Sequence, residues 1–260
     1  MVYRRRVSVA VIKVSVISNN ALNFDEDEHI YTRNDEEYTS VTTFIKKFFS
    51  EFDAEAVAEK KAYSYGKYSD KSKEEILDMW QQKADDGTEV HRLIEEWLRI
   101  KYNDEEFEDE PMPVKAIQGK EYWETNIEED YFVHDVWPEL QVYHDDYKLA
   151  GTIDVAFKHN SKGKTAKRQV SLIDWKTNKG IYKTPYNDGD TGTHVITQAI
   201  PDANWHHYSL QLSLYAYILE DQFKQNIYKL NLVHLKQDDY EVHDIPYRKE
   251  TVQKLCQTMK

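Results

Sequence analysis

Val170-Ser171-Leu172-Ile173-Asp174-Trp175-Lys176 is the stretch that decides how this chain folds. It is a short apolar run that follows a segment rich in Lys, Ser and Gly (residues 159–167), so it reads as a strand entered from a hairpin loop. Side chains alternate faces along a strand, which puts Asp174 and Lys176 on the same one. A cation two residues from an acid, at the end of an apolar strand, is a poor way to build a core. It is a good way to hold a metal beside a phosphate.

Across that loop lies a second strand-like run, Gly151-Thr152-Ile153-Asp154-Val155-Ala156-Phe157. A hairpin centred near Gly163 pairs Thr152 with Asp174 and Asp154 with Leu172. Asp154 and Asp174 then become diagonal neighbours, with Cβ atoms roughly 7 Å apart. Upstream, Glu139-Leu140-Gln141-Val142-Tyr143-His144 reads as a third strand that ends at Asp145-Asp146. A two-residue turn there sets Glu139 opposite Thr152. Glu139, Asp154 and Asp174 converge with Lys176 at the rim, and sharing a face requires only the right parity.

Three clustered carboxylates repel one another unless a cation sits between them. Oxygen ligands favour a hard ion, Mg2+ or Mn2+. Such a site positions a phosphodiester, lowers the pKa of a bound water and stabilises charge on the phosphorus oxygens. Lys176 could orient or deprotonate that water, or neutralise the phosphorus centre; the sequence leaves these roles open. The competing reading is a set of acids on a solvated sheet face.

Further motifs accompany the acids. Trp80-x-x-Lys83-x-x-x-Gly87-Thr88-x-x-His91 and Pro138-Glu139 precede Gly151-Thr152-Ile153-Asp154, and Asp174-Trp175-Lys176-Thr177 is followed by Gln211-Leu212-Ser213-Leu214-Tyr215. In this order and spacing, the stretch from Trp80 to Tyr215 resembles the RecB-like, QxxxY-motif branch of the PD-(D/E)xK nuclease superfamily. It is similar in particular to phage, viral and mitochondrial genome-maintenance exonucleases. The resemblance implies an α/β fold with a restriction-endonuclease-like core of order αβββαβ. It implies a deoxyribonuclease dependent on Mg2+ or Mn2+, an exonuclease acting on DNA ends or single strands. Carried over residue by residue, Asp154 and Asp174 bind the metal and Lys176 is the catalytic lysine. His91 completes the metal shell, and Glu139 is a further acid at the metal or the water. Ile153 stands in place of the Pro of the superfamily's name, and Asp174 where many members carry Glu. Neither departure removes a chemical group.

His91 lies in Glu89-Val90-His91-Arg92-Leu93-Ile94-Glu95-Glu96-Trp97-Leu98, an amphipathic helical pattern in which Glu95 shares its face. A lone helical histidine is more often a core or surface residue than a ligand, and the preceding Gly87-Thr88 reverses that weighting. Gln211 and Tyr215 share one face of a helix expected over residues 204–221. Either they line the cleft and touch nucleic-acid phosphate or the lysine strand, or Gln211 is a core amide bonded to backbone. Thr177, Lys179 and Lys183, just beyond Lys176, are further candidate contacts to nucleic acid.

The chain has 260 residues and 40% hydrophobic content, enough to bury one substantial core. Residues 1–70 read as an N-terminal strand, hairpin and helical extension, and residues 71–260 as the nuclease-like core. A single cysteine, Cys256, rules out a disulfide framework and fits a reducing, intracellular setting such as cytoplasm, nucleoid or viral factory. It also excludes the four-cysteine iron–sulfur cluster that some RecB-like nucleases carry. No HExxH, CxxC or Walker-type loop is present. The net charge of −13 opposes phosphate binding. Acid is concentrated at residues 25–28 and 104–110, however, while Lys158, Lys162, Lys164, Lys167, Arg168, Lys176, Lys179 and Lys183 form an expected basic rim.

Residues 1–24 contain no acid. The alternation from Val7 to Val16 reads as a strand too short for a membrane span, in preference to an organellar presequence. A hairpin around Thr32-Arg33-Asn34-Asp35 and a helix capped at Ser40, carrying Phe44, Phe48 and Phe49, complete the extension. Residues 184–193 read as a loop able to gate the cleft. Two other classes compete with the nuclease. A non-catalytic nucleic-acid-binding relative would bind DNA without cutting it, and a glycoside hydrolase would use two of these acids without a metal, with tryptophans as sugar platforms.

Overall fold

The computed structural model describes residues 22–25, 30–108, 110–162 and 168–260. The expected strand at residues 7–16, part of the acidic run at 25–28, and Gly163, Lys164 and Lys167 of the hairpin tip lie outside the described residues.

The chain opens with β1 (Asn23–Asp25), β2 (Ile30–Arg33), β3 (Glu36–Ser40), α1 (Val41–Lys46) and α2 (Ala54–Lys61). Then come α3 (Lys73–Asn103), α4 (Val114–Tyr122) with a π-helical turn (Trp123–Ile127), β4 (Tyr131–His144), β5 (Leu149–Ser161) and β6 (Gln169–Lys176). It closes with α5 (Asn204–Asp221), β7 (Ile227–Leu235), β8 (Tyr240–Asp244) and α6 (Lys249–Gln257). From α3 to β7 this is helix, three strands, helix, strand, with α4 added to the order read from the sequence.

Among the described residues the eight strands form one mixed sheet. β4 runs along one edge of β5 from His144↔Leu149 to Tyr131↔Ser161. β3 and β6 therefore divide the other edge. β3 pairs in parallel at Leu149 and Ala150, and β6 pairs antiparallel from Val155 to His159. Residues 151–154 fall between these two partners, so the edge is split where Asp154 sits. β7 continues in parallel beside β6, and β8 finishes the sheet antiparallel to β7.

The register differs from the expected one by two residues in both hairpins. Val155 faces Ile173 and Ala156 faces Leu172, which extrapolates to Asp154 opposite Asp174. Pro138 faces Val155 and Leu140 faces Ile153, which brackets Glu139 opposite Asp154. In the β4–β5 hairpin the cause is loop length: the connection is Asp145 to Lys148, four residues, with Lys148 at φ 47. A slip of two preserves parity, so the acids still meet.

The sheet is covered on both faces. Val170, Leu172, Leu140, Val142 and Leu232 pack with α1, α5 and α6, whereas Ile173, Trp175, Val136, Val155 and Val233 pack with α3 and α4. β6 alternates cleanly between the two cores. β4 does not: Val136 goes to the α3 side, but Leu140 and Val142 go to the α5 side. Between them Glu139 has φ 48, a left-handed residue inside a strand, and it inverts the alternation. The neighbouring Pro138 lacks an amide, which costs nothing on β4 because that strand is an edge.

The N-terminal hairpin is as expected, with a two-residue turn at Asn34 and Asp35, both at positive φ. Arg33 and Tyr38 each bond Asp145 at 2.6 Å, which fastens it to the β4–β5 turn. Ser40 caps α1 through the Thr43 amide, but the helix stops at Lys46, before the buried Phe48 and Phe49. Residues 184–193 do not close over the cleft described below. Their end is pinned to the extension, with Thr193 N–H donating to Phe48 O at 2.9 Å.

Candidate metal centre and cleft

His91, Glu139 and Asp154 meet, their ligand atoms all within 4.8 Å of one another. The split edge of β5 produces half of this geometry. Asp154 Oδ2 accepts the Trp175 main-chain N–H at 2.7 Å, so its side chain takes the place of a ladder bond as β6 diverges. α3 delivers the imidazole, with His91 Nδ1 3.5 Å from Asp154 Oδ2. Gly87 permits that approach. A Cβ there would lie 2.7 Å from Thr177 Oγ1, so the absence of one lets α3 pass tight against the chain leaving β6. His91 comes one helical turn later.

Asp174 is 2% exposed and sits beside this triad, with both oxygens engaged. Lys176 Nζ is 2.5 Å from its Oδ2, and Gln211 Nε2 donates to its Oδ1 at 3.3 Å. The expected parity of Asp174 and Lys176 is thus realised as an ion pair. Tyr208 of α5 places its ring 4.6 Å from the Lys176 ammonium.

The charges explain one another. Burial, then Asp154 and Glu95, push the Glu139 carboxyl up to about 9. Burial lifts Asp174 to about 6 against the pull of Lys176, and it raises Asp154 likewise. Burial and then Lys176 hold the His91 ring at about 4, so it is neutral and able to ligate. Burial alone would lower Lys176, but Asp174 and Asp154 outweigh it and the ammonium is held above its ordinary range. Glu139, pushed up to about 9, holds a proton that a cation would displace, and two carboxylates with one imidazole suit Mn2+ or Mg2+. The donor set fits a divalent metal.

A cleft of about 1150 Å3 opens from Lys176 between α3, the start of α4 and the chain following β6. Lys83, Lys115, Lys176 and Lys179 all line it. The expected rim is therefore partly corrected. Lys158 pairs across the sheet with Asp135, and Lys162 donates to Glu128 O at 2.7 Å, both toward the far hairpin end of β5. Lys183 rests 4.9 Å over the Trp205 ring and is not part of the cleft wall. Thr177 and Lys179 do line it.

Tyr215 is also corrected. It is 3% exposed, buried beneath the sheet, so a bound strand could not reach it. A Cβ on Gly151 would lie 2.9 Å from its hydroxyl, so the motif glycine and the motif tyrosine are packing partners. Gln211 touches the lysine strand as expected, donating to the Asp174 carboxylate, but it does not line the cleft.

Lys115 had no local signal in the sequence; it opens a helix after Pro113, and its Nζ bonds Thr177 O. Tyr208 is marked only by lying one turn before Gln211. Glu95, one turn after His91, pairs with Arg99 at 2.7 Å and adds its charge to the Glu139 environment. Comparison with protein-family models gives no match for this chain, and comparison with curated proteins gives none. No helix among the described residues is long and apolar enough to cross a membrane.

Proposed function

We propose that this protein is a metal-dependent nuclease that hydrolyses DNA phosphodiester bonds, an exonuclease of the RecB-like PD-(D/E)xK type acting on ends or single strands. The observation that carries the reading is the meeting of His91, Glu139, Asp154, Asp174 and Lys176 at the head of a lysine-lined cleft. A bound Mg2+ or Mn2+ would supply Lewis acidity to the scissile phosphate and acidify the attacking water.

The protein's own part follows from the geometry. His91, Glu139 and Asp154 would hold the cation. Lys176, kept protonated by Asp174, acts as a fixed positive charge that orients the water and neutralises charge growing on the phosphate oxygens. That favours the electrostatic role over the general-base role. Asp174 fixes Lys176, and Gln211 fixes Asp174. Lys83, Lys115 and Lys179 seat the phosphates of the strand in an otherwise acidic protein. Water oxygen bonds to phosphorus as the bond to the leaving sugar oxygen breaks; the attacking water gives up a proton to the surrounding water, and the leaving oxygen takes one from it.

The test is cleavage of end-labelled linear and circular single-stranded DNA with Mg2+, Mn2+ or EDTA, comparing wild type with Asp174→Ala. Metal-dependent loss of the linear substrate alone, absent in the variant, is the expected result. Cutting of circles would make the protein an endonuclease. A wild type that binds DNA and cuts neither form in either metal is a binding module.

A further inference from the structure

A second surface with a chemistry of its own stands beside the cleft, where α2 and the loop after it meet the first turns of α3. Phe52 is 70% exposed, and its ring lies 6.3 Å from that of Trp80, tilted by 47°. The Trp80 indole is fixed in orientation, with Nε1 donating to the Tyr68 hydroxyl at 3.3 Å. Lys67 and Lys61 flank the Tyr68 ring, their ammonium groups 5.5 and 5.9 Å from its centroid.

Three features distinguish this surface from a stray piece of core. First, Phe52 is an exposed aromatic ring, and the rings of Trp80 and Tyr68 beside it are only half-buried. Second, the lysines are uncompensated. None of Lys61, Lys67 and Lys83 pairs with a carboxylate among the described residues, although the chain carries −13 overall, and the nearby Glu55 is taken by Lys73. Lys83 lies against Lys67, and that neighbour, more than burial, lowers its pKa. Two like charges held together await an anion. Third, the surface is continuous with the site: Lys83 belongs both to this cluster and to the cleft wall that ends at Lys176.

We propose that Phe52, Tyr68 and Trp80, with Lys61, Lys67 and Lys83, form a base-stacking platform that receives single-stranded nucleic acid and feeds it into the cleft. Aromatic faces interleaved with lysines match an unpaired strand, whose bases offer π-faces and whose phosphates follow at regular intervals. A duplex keeps its bases stacked inside and has nothing to lay on Trp80. The platform therefore selects single strands over duplex. This assignment rests on the nuclease reading above and adds the substrate form to it.

The experiment uses the whole chain in two arms. In EDTA, fluorescence anisotropy measures binding of labelled oligo(dT) and of a duplex of equal length to wild type, Phe52→Ala, Trp80→Ala and Lys67→Glu. With Mn2+, the same proteins are assayed for hydrolysis of bis(p-nitrophenyl) phosphate, a small diester that cannot reach the platform while it occupies the site. Expected is about a ten-fold loss of oligo(dT) affinity in the variants, with weak duplex binding and small-diester hydrolysis unchanged. Phe52 and Lys67 are exposed, so their variants keep the test valid if Trp80→Ala fails to fold. Undiminished oligo(dT) binding in those two variants would overturn the platform and leave the nuclease reading standing. So would a wild type that hydrolyses the small diester and binds duplex as tightly as oligo(dT). A wild type that neither hydrolyses the small diester nor binds DNA would overturn both.

Discussion

The two halves of α3 share one continuous helix and almost nothing else. The C-terminal half buries Val90, Leu93, Ile94 and Leu98 against α4 and the sheet, and it carries His91 and Glu95 to the acids. In the N-terminal half only Ile76 is buried, and residues 81–86 are exposed one after another. That span holds its shape by local means, with Gln81 bonded to Asp85 and Gln82 to Asp86, each one turn along. A capping box at Ser72 and Glu75 fixes its start. The two halves divide the labour: the packed half holds the His91 imidazole rigidly against the acids, and the solvated half lines the cleft and reaches the aromatic cluster.

The largest expected effect tests the packed half. His91→Ala should lower cleavage by about 10²–10³-fold and weaken Mn2+ binding measured by calorimetry, with the fold retained. A variant with unchanged metal affinity would remove His91 from the site. Next in size is a stability contrast. Ile94→Ala should cost about 2–5 kcal/mol and lower Tm by roughly 5–15 °C, whereas Gln82→Ala in the solvated span should scarcely move it. Equal shifts in the two would erase the distinction between the halves.

The smallest effect concerns pH. Glu139 is pushed up to about 9 in the folded protein and returns to the ordinary range on unfolding. Between those values the folded state holds a proton that the unfolded state has released, so the contribution of Glu139 to stability falls as pH rises through the window. A divalent cation replaces that proton. The gain in Tm on adding Mg2+ should therefore grow from about pH 5 to about pH 9. A gain that stays flat across this range, read by differential scanning fluorimetry, would deny Glu139 a place at the cation.

The acids were legible because a buried strand advertises its parity. Ile173, Trp175 and Leu172 alternate so plainly that the face of Asp174 and Lys176 follows. Loop lengths carry no such signal. The Asp145–Lys148 turn needs a lysine in left-handed backbone, which composition does not announce, and the register slipped by two as a result. Only because the slip was even did the expected meeting survive. The lysines were misplaced for a different reason. Lys158 is close to Asp154 in sequence, but a strand rises about 3.3 Å per residue and carries it toward the hairpin end. Lys83 and Lys115 come from helices remote in sequence, and only the tertiary fold brings them to the cleft. The resemblance implies four metal ligands, His91, Glu139, Asp154 and Asp174; three of them meet, whereas Asp174 is taken by Lys176 and Gln211, and this capture and the burial of Tyr215 depend on the packing of α5.

Glu139 bears a cost that the rest of β4 does not. Its left-handed backbone is worth about 1–2 kcal/mol against any residue with a Cβ, and its carboxyl is also withdrawn from water. Glycine would relieve both burdens at once. Selection for stability alone therefore drives this position toward glycine, and an acid persists there only while its chemistry is in use. In descendants released from that use, this is the place where decay should register first.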